Sequence, residues 1–74
     1  MKLFVGNLGG DDTVKSSDLR PLFERFGAVT ECECVKEYGC AFVHMGDEAS
    51  ALTAMAELNG TNVKGRHPFS KAWQ

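Results

Sequence analysis

The chain has 74 residues, of which 43% are hydrophobic and 24% charged, with a formal net charge of −2 and a pI of about 5.5. These values fit one small globular domain, without the roughly 18-residue apolar run of a membrane span or the apolar stretch of a signal peptide. The acidic balance also lacks the basic signature of many nucleic-acid modules, so a nucleic-acid function has to rest on a residue pattern.

The first segment predicts a strand followed by a loop. Met1–Leu8 is rich in β-forming residues, and Gly9 and Gly10 after it are a turn signal. The polar residues Asp11–Lys15 then predict a loop.

A helix follows the loop. Ser16 and Ser17 are suitable N-caps, and Gly27 ends the apolar periodicity. Between these limits the helical spacing places one set of apolar side chains on a single face, which we expect to pack in the core: Leu19, Leu22, Phe23 and Phe26.

Two strands, Val29–Val35 and Cys40–Met45, predict a β-hairpin across the short connection Glu37–Gly39. Alternation in the first strand puts two cysteines toward the helices and three residues on the other face: Cys32 and Cys34 against Glu31, Glu33 and Val35. Alternation in the second strand divides its residues in the same way: Ala41, Val43 and Met45 inward, and Cys40, Phe42 and His44 outward.

The last third predicts a second helix, a turn and a weak final strand. The helix covers the alanine-rich segment Asp47–Leu58 and ends at Asn59-Gly60, the turn is Thr61–Arg66, and the strand lies within His67–Gln74. The order β-α-β-β-α-β predicts an α+β, ferredoxin-like sandwich, in which a four-stranded antiparallel sheet carries two helices on one face. The other sheet face is open to solvent, and a functional surface is expected there.

Two phenylalanines are predicted on this open face. Leu3 and Val5 point to the helices and leave Phe4 outward, while Phe42 faces outward from the hairpin. The inward positions already hold aliphatic residues, so a core role does not explain the two rings. Paired rings on a sheet are stacking platforms for unpaired bases.

With these rings the chain resembles the RNA recognition motif family over nearly its whole length. Leu3–Leu8 (LFVGNL) looks like the family's second ribonucleoprotein motif, and Tyr38–Met45 (YGCAFVHM) looks like the first. The segments ECECVKEYGCAFVHM and ELNGTNVKGR are most similar to the Lark-like branch of RNA-binding and splicing regulators. The resemblance implies one RNA recognition motif domain over residues 1–74, as a module of a longer protein.

The chain departs from the family pattern at several positions. Tyr38 stands where the first motif usually has Lys or Arg, and Cys40 stands where it usually has a stacking ring, although Tyr38 is a possible substitute. Glu31 and Glu33 add negative charge beside the phosphate path. In the final strand two registers are open, one with the odd-numbered residues on the open face and one with them packed inward: Phe69, Lys71 and Trp73.

The resemblance implies binding of short single-stranded RNA, in splicing or other post-transcriptional regulation of messenger RNA. It also implies a nuclear protein, with shuttling to the cytoplasm left open, and other splicing or mRNA-processing proteins as further partners. We expect a monomer without metal or cofactor. The predicted RNA-binding residues are Lys2, Phe4, Asn7, Lys36, Tyr38, Cys40, Phe42, His44, Phe69 and Lys71.

Three other functions fit the sequence less well than RNA binding. Zinc binding needs converging ligands, whereas Cys32 and Cys34 are predicted on the sheet face opposite Cys40 and His44, so we expect reduced thiols. An enzyme is not expected, because His44 has no accompanying nucleophile or carboxylate partner in the pattern. The main alternative is a protein-binding domain of the same fold with little or no RNA affinity, anchored through exposed aromatic residues or the helical face.

Overall fold

The computed structural model describes residues 1–9 and 14–73, with the side chain of Lys36 left out. Gly10 of the predicted turn, most of the predicted loop and Gln74 lie outside the described residues. The elements in chain order are β1 (Lys2–Gly6), α1 (Ser16–Glu24), β2 (Val29–Val35), a 3₁₀ turn (Lys36–Tyr38), β3 (Cys40–Met45), α2 (Glu48–Leu58) and β4 (Phe69–Ala72). No helix of the described residues is long and apolar enough to cross a bilayer.

The strands form one antiparallel sheet in the order β2-β3-β1-β4, so β1 and β3 are central. This confirms the predicted α+β ferredoxin-like sandwich. The core lies on the sheet face that the helices cover, and its buried side chains follow the predicted alternation: Leu3, Val5, Ala41, Val43 and Met45 from the central strands, with Leu19, Phe23, Ala51 and Ala54 from the helices. Burying each larger aliphatic or aromatic side chain stabilises the fold by about 1.5–3 kcal/mol.

A β-bulge in β2 determines which side chains reach the open face. Val29 pairs with Met45 and Glu31 pairs with His44, so Thr30 is an additional residue on this strand. Val29 and Cys32 therefore both pack on the core side, which strict alternation does not allow. The Thr30 hydroxyl donates a hydrogen bond to the His44 carbonyl oxygen over 3.2 Å. The bulge places Glu31, Glu33 and Val35 on the open face.

The N-terminus of α1 corrects one prediction. Its N-cap is Lys15 rather than Ser16 or Ser17, which are the first helical residues. The backbone N–H of Lys15 donates to the Asp18 carboxylate over 3.0 Å. A carboxylate in the first turn also interacts favourably with the positive end of the helix dipole, so Asp18 stabilises the start of the helix from the third helical position while Lys15 is the N-cap.

The register of β4 decides between the two predicted arrangements of the final strand. Ser70 pairs with Val5 and is buried, as is Pro68 just before the strand. Phe69 and Trp73 are each 47% exposed. The odd-numbered residues of the strand therefore lie on the open face, and β4 runs along an edge of the sheet, where proline is tolerated.

Candidate nucleic-acid interface

Four aromatic rings lie together on the open face, and we call them the aromatic surface: Phe4, Phe42, Phe69 and Trp73. Phe4 and Phe42 pair in register across the central strands, with ring centroids 5.7 Å apart and an edge-to-face angle of 65°. The Trp73 ring stacks on Phe4 with centroids 5.3 Å apart and planes at 26°, and meets Phe42 edge-to-face at 5.3 Å. The surface is therefore continuous from β3 across β1 to β4.

Gly6 makes room for one of these rings. It pairs with Phe69 across β1 and β4, and the phenyl ring of Phe69 lies over its Cα. A Cβ at this position would lie 2.7 Å from Cζ of Phe69 and 3.0 Å from Cε2 of Phe4. The absence of a side chain at Gly6 thus allows Phe69 to join Phe4.

Two lysines bring positive charge to the aromatic surface. Nζ of Lys2 lies 4.7 Å from the centroid of Phe42, and Nζ of Lys71 lies 5.6 Å from the centroid of Phe4. Both distances are within the range of cation–π attraction. Lys2 and Lys71, both predicted RNA-binding residues, are therefore adjacent to the two predicted stacking rings.

The β2 side of the same face is acidic. Glu31 pairs in register with His44, and its Oε1 lies 3.4 Å from Nε2 of that histidine, so His44 has a carboxylate partner that the sequence pattern did not predict. Glu33 pairs in register with Phe42 and is exposed. Charge on the open face is thus divided, with lysines on the β1–β4 side and carboxylates along β2.

Two predicted residues lie at the margins of this arrangement. Asn7 follows β1 with a φ of 63°, and its Nδ2 donates to the His67 carbonyl oxygen over 3.0 Å, which ties the end of β1 to the segment before β4. Tyr38 is 83% exposed in the 3₁₀ turn. Gly39 after it has a φ of +62°, so the strand alternation of β3 does not extend to Tyr38, the possible substitute for the ring missing at Cys40.

The cysteines are divided between the two faces as predicted. Cys32 and Cys34 are partly buried against the core, whereas Cys40 pairs with Val35 on the strand positions that face outward. Burial raises the pKa of the Cys32 thiol above 9.0, which favours the protonated, unreactive form. All three are free cysteines, and within residues 1–9 and 14–73 no group of three or more His, Cys, Asp or Glu side chains is arranged to hold a metal ion.

Trp73 is the ring that the predicted set of RNA-binding residues omits. The signal for it was its spacing, since it lies two residues beyond Lys71 and four beyond Phe69. This spacing places Trp73 on the open face only when the register of β4 is known. The buried position of Ser70 establishes that register.

Comparison with known proteins gives consistent matches. The family model for the RNA recognition motif matches residues 3–68. RNA-binding protein lark of Drosophila melanogaster is 49% identical over 59 residues, which cover 80% of this chain and 16% of that protein. RNA-binding protein 4B of Homo sapiens is 40% identical over 65 residues, or 88% of this chain and 17% of that protein. The chain therefore spans about a sixth of the length of these relatives.

Solved structures share the fold. The crystal structure of RNA Binding Protein PG1 superposes with a TM-score of 0.83 at 33% identity, covering 100% of this chain and 95% of that chain. A subunit of the C. elegans NONO-1 homodimer superposes with a TM-score of 0.82 at 33% identity, covering 95% of this chain and 27% of that chain.

Proposed function

We propose, from the premise that this chain belongs to the RNA recognition motif family, that it binds a short single-stranded RNA segment on the aromatic surface. The observation that carries the proposal is the contact between Phe4, Phe42 and Trp73 on the two central strands and the edge strand, flanked by lysine ammonium groups. The relatives that the chain matches are named as RNA-binding proteins, which supports the same ligand.

Stacking supplies most of the binding free energy in this proposal. Each base that stacks on an aromatic side chain contributes about 1–3 kcal/mol. Trp73 and Phe69 are the most exposed residues of the aromatic surface, at 47% each, and Phe4 and Phe42 are partly buried. Two or three bases are the expected occupancy of a surface of this size.

Phosphate contacts are few in the proposed complex. Lys2 and Lys71 are placed beside the rings, and Lys36, at the end of β2, remains a predicted third contact. With a net charge of −2 and carboxylates along β2, long-range attraction of RNA is weak. We therefore expect modest affinity and a shallow salt dependence, because few counterions are released.

We propose that polar side chains around the rings form hydrogen bonds with the edges of the bases. His44 lies on the open face next to Lys2 in the β1–β3 register, and Cys40 lies two residues before Phe42. Asn7 and Tyr38 lie at the end of the sheet where β3 begins and β1 ends, and they remain proposed contacts. Recognition of this kind needs no catalytic group, metal or cofactor.

In the cell, this domain would act in splicing or another step of messenger RNA regulation in the nucleus. That part of the proposal rests on likeness to the relatives named above, which are much longer than this chain. A second RNA-binding module in the same protein would raise the effective concentration of each site and compensate for weak binding by one domain.

A protein-binding role is the second candidate, and the exposure of Phe69 and Trp73 favours it, since large exposed aromatic residues are common anchors of interfaces. A small apolar depression on the helical side of β4, lined by Leu22, Leu58 and Val63, adjoins Phe69. A protein partner bound on the helical side would be insensitive to changes at Phe42.

An amide NMR titration of the isotope-labelled domain with randomised single-stranded RNA at low salt tests the two candidates. RNA binding predicts shifts at Phe4, Phe42, His44 and the Trp73 indole, and their loss in Phe42→Ala. Leu52→Ala, which truncates an exposed side chain on α2, is the matched control and should leave the shifts unchanged. A sheet face without shifts at high RNA concentration would contradict the proposal for this domain.

A further inference from the structure

A carboxylate lies beside the proposed base-stacking ring of Phe42, and neither stacking nor phosphate binding uses it. Glu33 is directly opposite Phe42 in the β2–β3 register, where facing side chains have Cβ atoms about 5 Å apart. Glu33 is exposed, and among the described residues its carboxylate has no hydrogen bond or ion pair. The carboxylate of Glu31, two residues earlier, lies instead beside the His44 imidazole, at 3.4 Å.

An ionised carboxylate accepts hydrogen bonds and donates none. The edge of an unpaired cytosine offers its N4 amino group as a donor, whereas uracil has the O4 acceptor at the same position. A cytosine next to Glu33 therefore satisfies both partners. A uracil in the same place sets its O4 acceptor against the carboxylate, and its ring N3–H can donate to Glu33 only after the base shifts along that edge.

The division of charge on the open face orients a nucleotide on Phe42. Lys2 extends from β1, the strand on the side of β3 away from β2, and its ammonium lies over the Phe42 ring. A phosphate attracted to Lys2 leaves the base edge pointing across the ring toward β2, where Glu33 lies. The opposite orientation would place the phosphate against the Glu31 and Glu33 carboxylates.

We propose that Glu33 makes the aromatic surface select a base with an exocyclic amino donor, cytosine over uracil, at the nucleotide that stacks on Phe42. This inference rests on the proposed RNA-binding function. It also gives a role to a negative charge that would otherwise only oppose RNA binding. Selection by a single charge-assisted hydrogen bond is expected to be about tenfold.

The experiment compares hexauridine with the same oligomer carrying one central cytidine, by calorimetric or fluorescence titration of the whole chain. The wild-type domain is expected to bind the cytidine oligomer about tenfold more tightly. In Glu33→Gln, the side-chain amide donates to uracil O4 as well as accepting from cytosine N4. The ratio of the two affinities should therefore fall toward one, while affinity for hexauridine rises because a negative charge is removed.

Glu57→Gln is the matched control. Glu57 is exposed on α2, in the layer on the other side of the sheet, so this variant makes the same charge change away from the aromatic surface. Its ratio of affinities should equal that of the wild-type domain. A reduced ratio in Glu57→Gln would show that net charge, and not the position of Glu33, produces the selection.

Failure of this inference is distinguishable from failure of the proposed function. Equal binding of the two oligomers by the wild-type domain, lost in Phe42→Ala, would overturn selection by Glu33 and leave RNA binding intact. An unchanged cytidine preference in Glu33→Gln would also overturn the role of Glu33. If neither oligomer binds or shifts the sheet resonances, RNA binding itself fails and the inference fails with it.

Discussion

The indole of Trp73 lies on the phenyl ring of Phe4, with centroids 5.3 Å apart and planes inclined by 26°. The backbone N–H of Trp73 donates to the Lys2 carbonyl oxygen over 2.9 Å, so the pairing between β1 and β4 continues one residue beyond the end of β4. This hydrogen bond holds the indole over the centre of the sheet. One face of the ring meets Phe4, and nearly half of the side chain is left to solvent.

We expect Trp73→Ala to weaken RNA binding about tenfold, because one stacked base contributes about 1–3 kcal/mol. Trp73 is the only tryptophan of the chain, so its fluorescence in the wild-type domain reports on this position and should change when RNA is added. Trp73→Phe keeps a ring and should retain most of the affinity. Tighter binding by Trp73→Ala would instead show that the indole shields Phe4 from RNA.

Gly6→Ala is expected to destabilise the domain by about 1 kcal/mol, the lower end of the cost of overpacking, because the ring that has to move is half-exposed. The new Cβ would lie 2.7 Å from Cζ of Phe69, which must move away from Phe4. Urea denaturation measures the change in the free energy of unfolding. The double variant with Phe69→Ala should recover much of the loss, since the clash is then removed.

Gly46→Ala is the control for this prediction, because a Cβ there meets Thr30 Cγ2 at an ordinary 3.7 Å. It should change the free energy of unfolding much less than Gly6→Ala. Equal losses in the two variants would mean that loss of glycine, and not contact with Phe69, destabilises the domain.

The sequence pattern predicted the architecture because most strand residues obey simple alternation. The bounds of β2 and β3, and the outward positions of Phe4, Phe42 and His44, follow directly from it. The bulge at Thr30 was not predictable in this way, because it arises from pairing between strands and leaves no local turn signal.

The same limit applies to the candidate site. Phe4 and Phe42 were placed by motif and alternation together, but Trp73 depended on the register of β4, where Pro68 and Ser70 replace the apolar residues that normally reveal the inward face. The N-cap of α1 differs from the prediction because the Asp18 carboxylate accepts the Lys15 N–H, which places the cap one residue before Ser16, at a residue type with no N-cap preference.

Asn59→Ala is expected to destabilise the domain by about 1–3 kcal/mol, the cost of leaving hydrogen-bonding groups without a partner. The Asn59 side chain accepts from the Ser70 N–H at 2.7 Å and donates to the Ser70 carbonyl oxygen at 3.3 Å, which joins the end of α2 to the edge strand. Hydrogen exchange of the Ser70 amide should accelerate in this variant. Asn59→Asp keeps the acceptor and should protect that amide better than alanine does; equal exchange in both variants would contradict this assignment.

Acidification is expected to destabilise the domain through Asp18. The pKa of its carboxyl lies below the ordinary value of 3.8 because the Lys15 backbone N–H and the Lys64 ammonium, 3.0 Å away, favour the ionised form. A lowered folded-state pKa means that the unfolded chain takes up the proton first as the pH falls. This stabilisation is therefore complete well above pH 3.8 and is lost as the pH falls through the folded-state value.

Denaturation at a series of pH values measures this loss as a decrease in the free energy of unfolding. Asp18→Asn should flatten the acid part of the curve, and Lys64→Gln should flatten it less, because the hydrogen bond from Lys15 remains. The Asp47 carboxyl, whose pKa is also lowered by hydrogen bonds from Ser50, keeps some acid dependence in both variants. A curve for Asp18→Asn that matches the wild-type curve would assign the acid sensitivity to other groups.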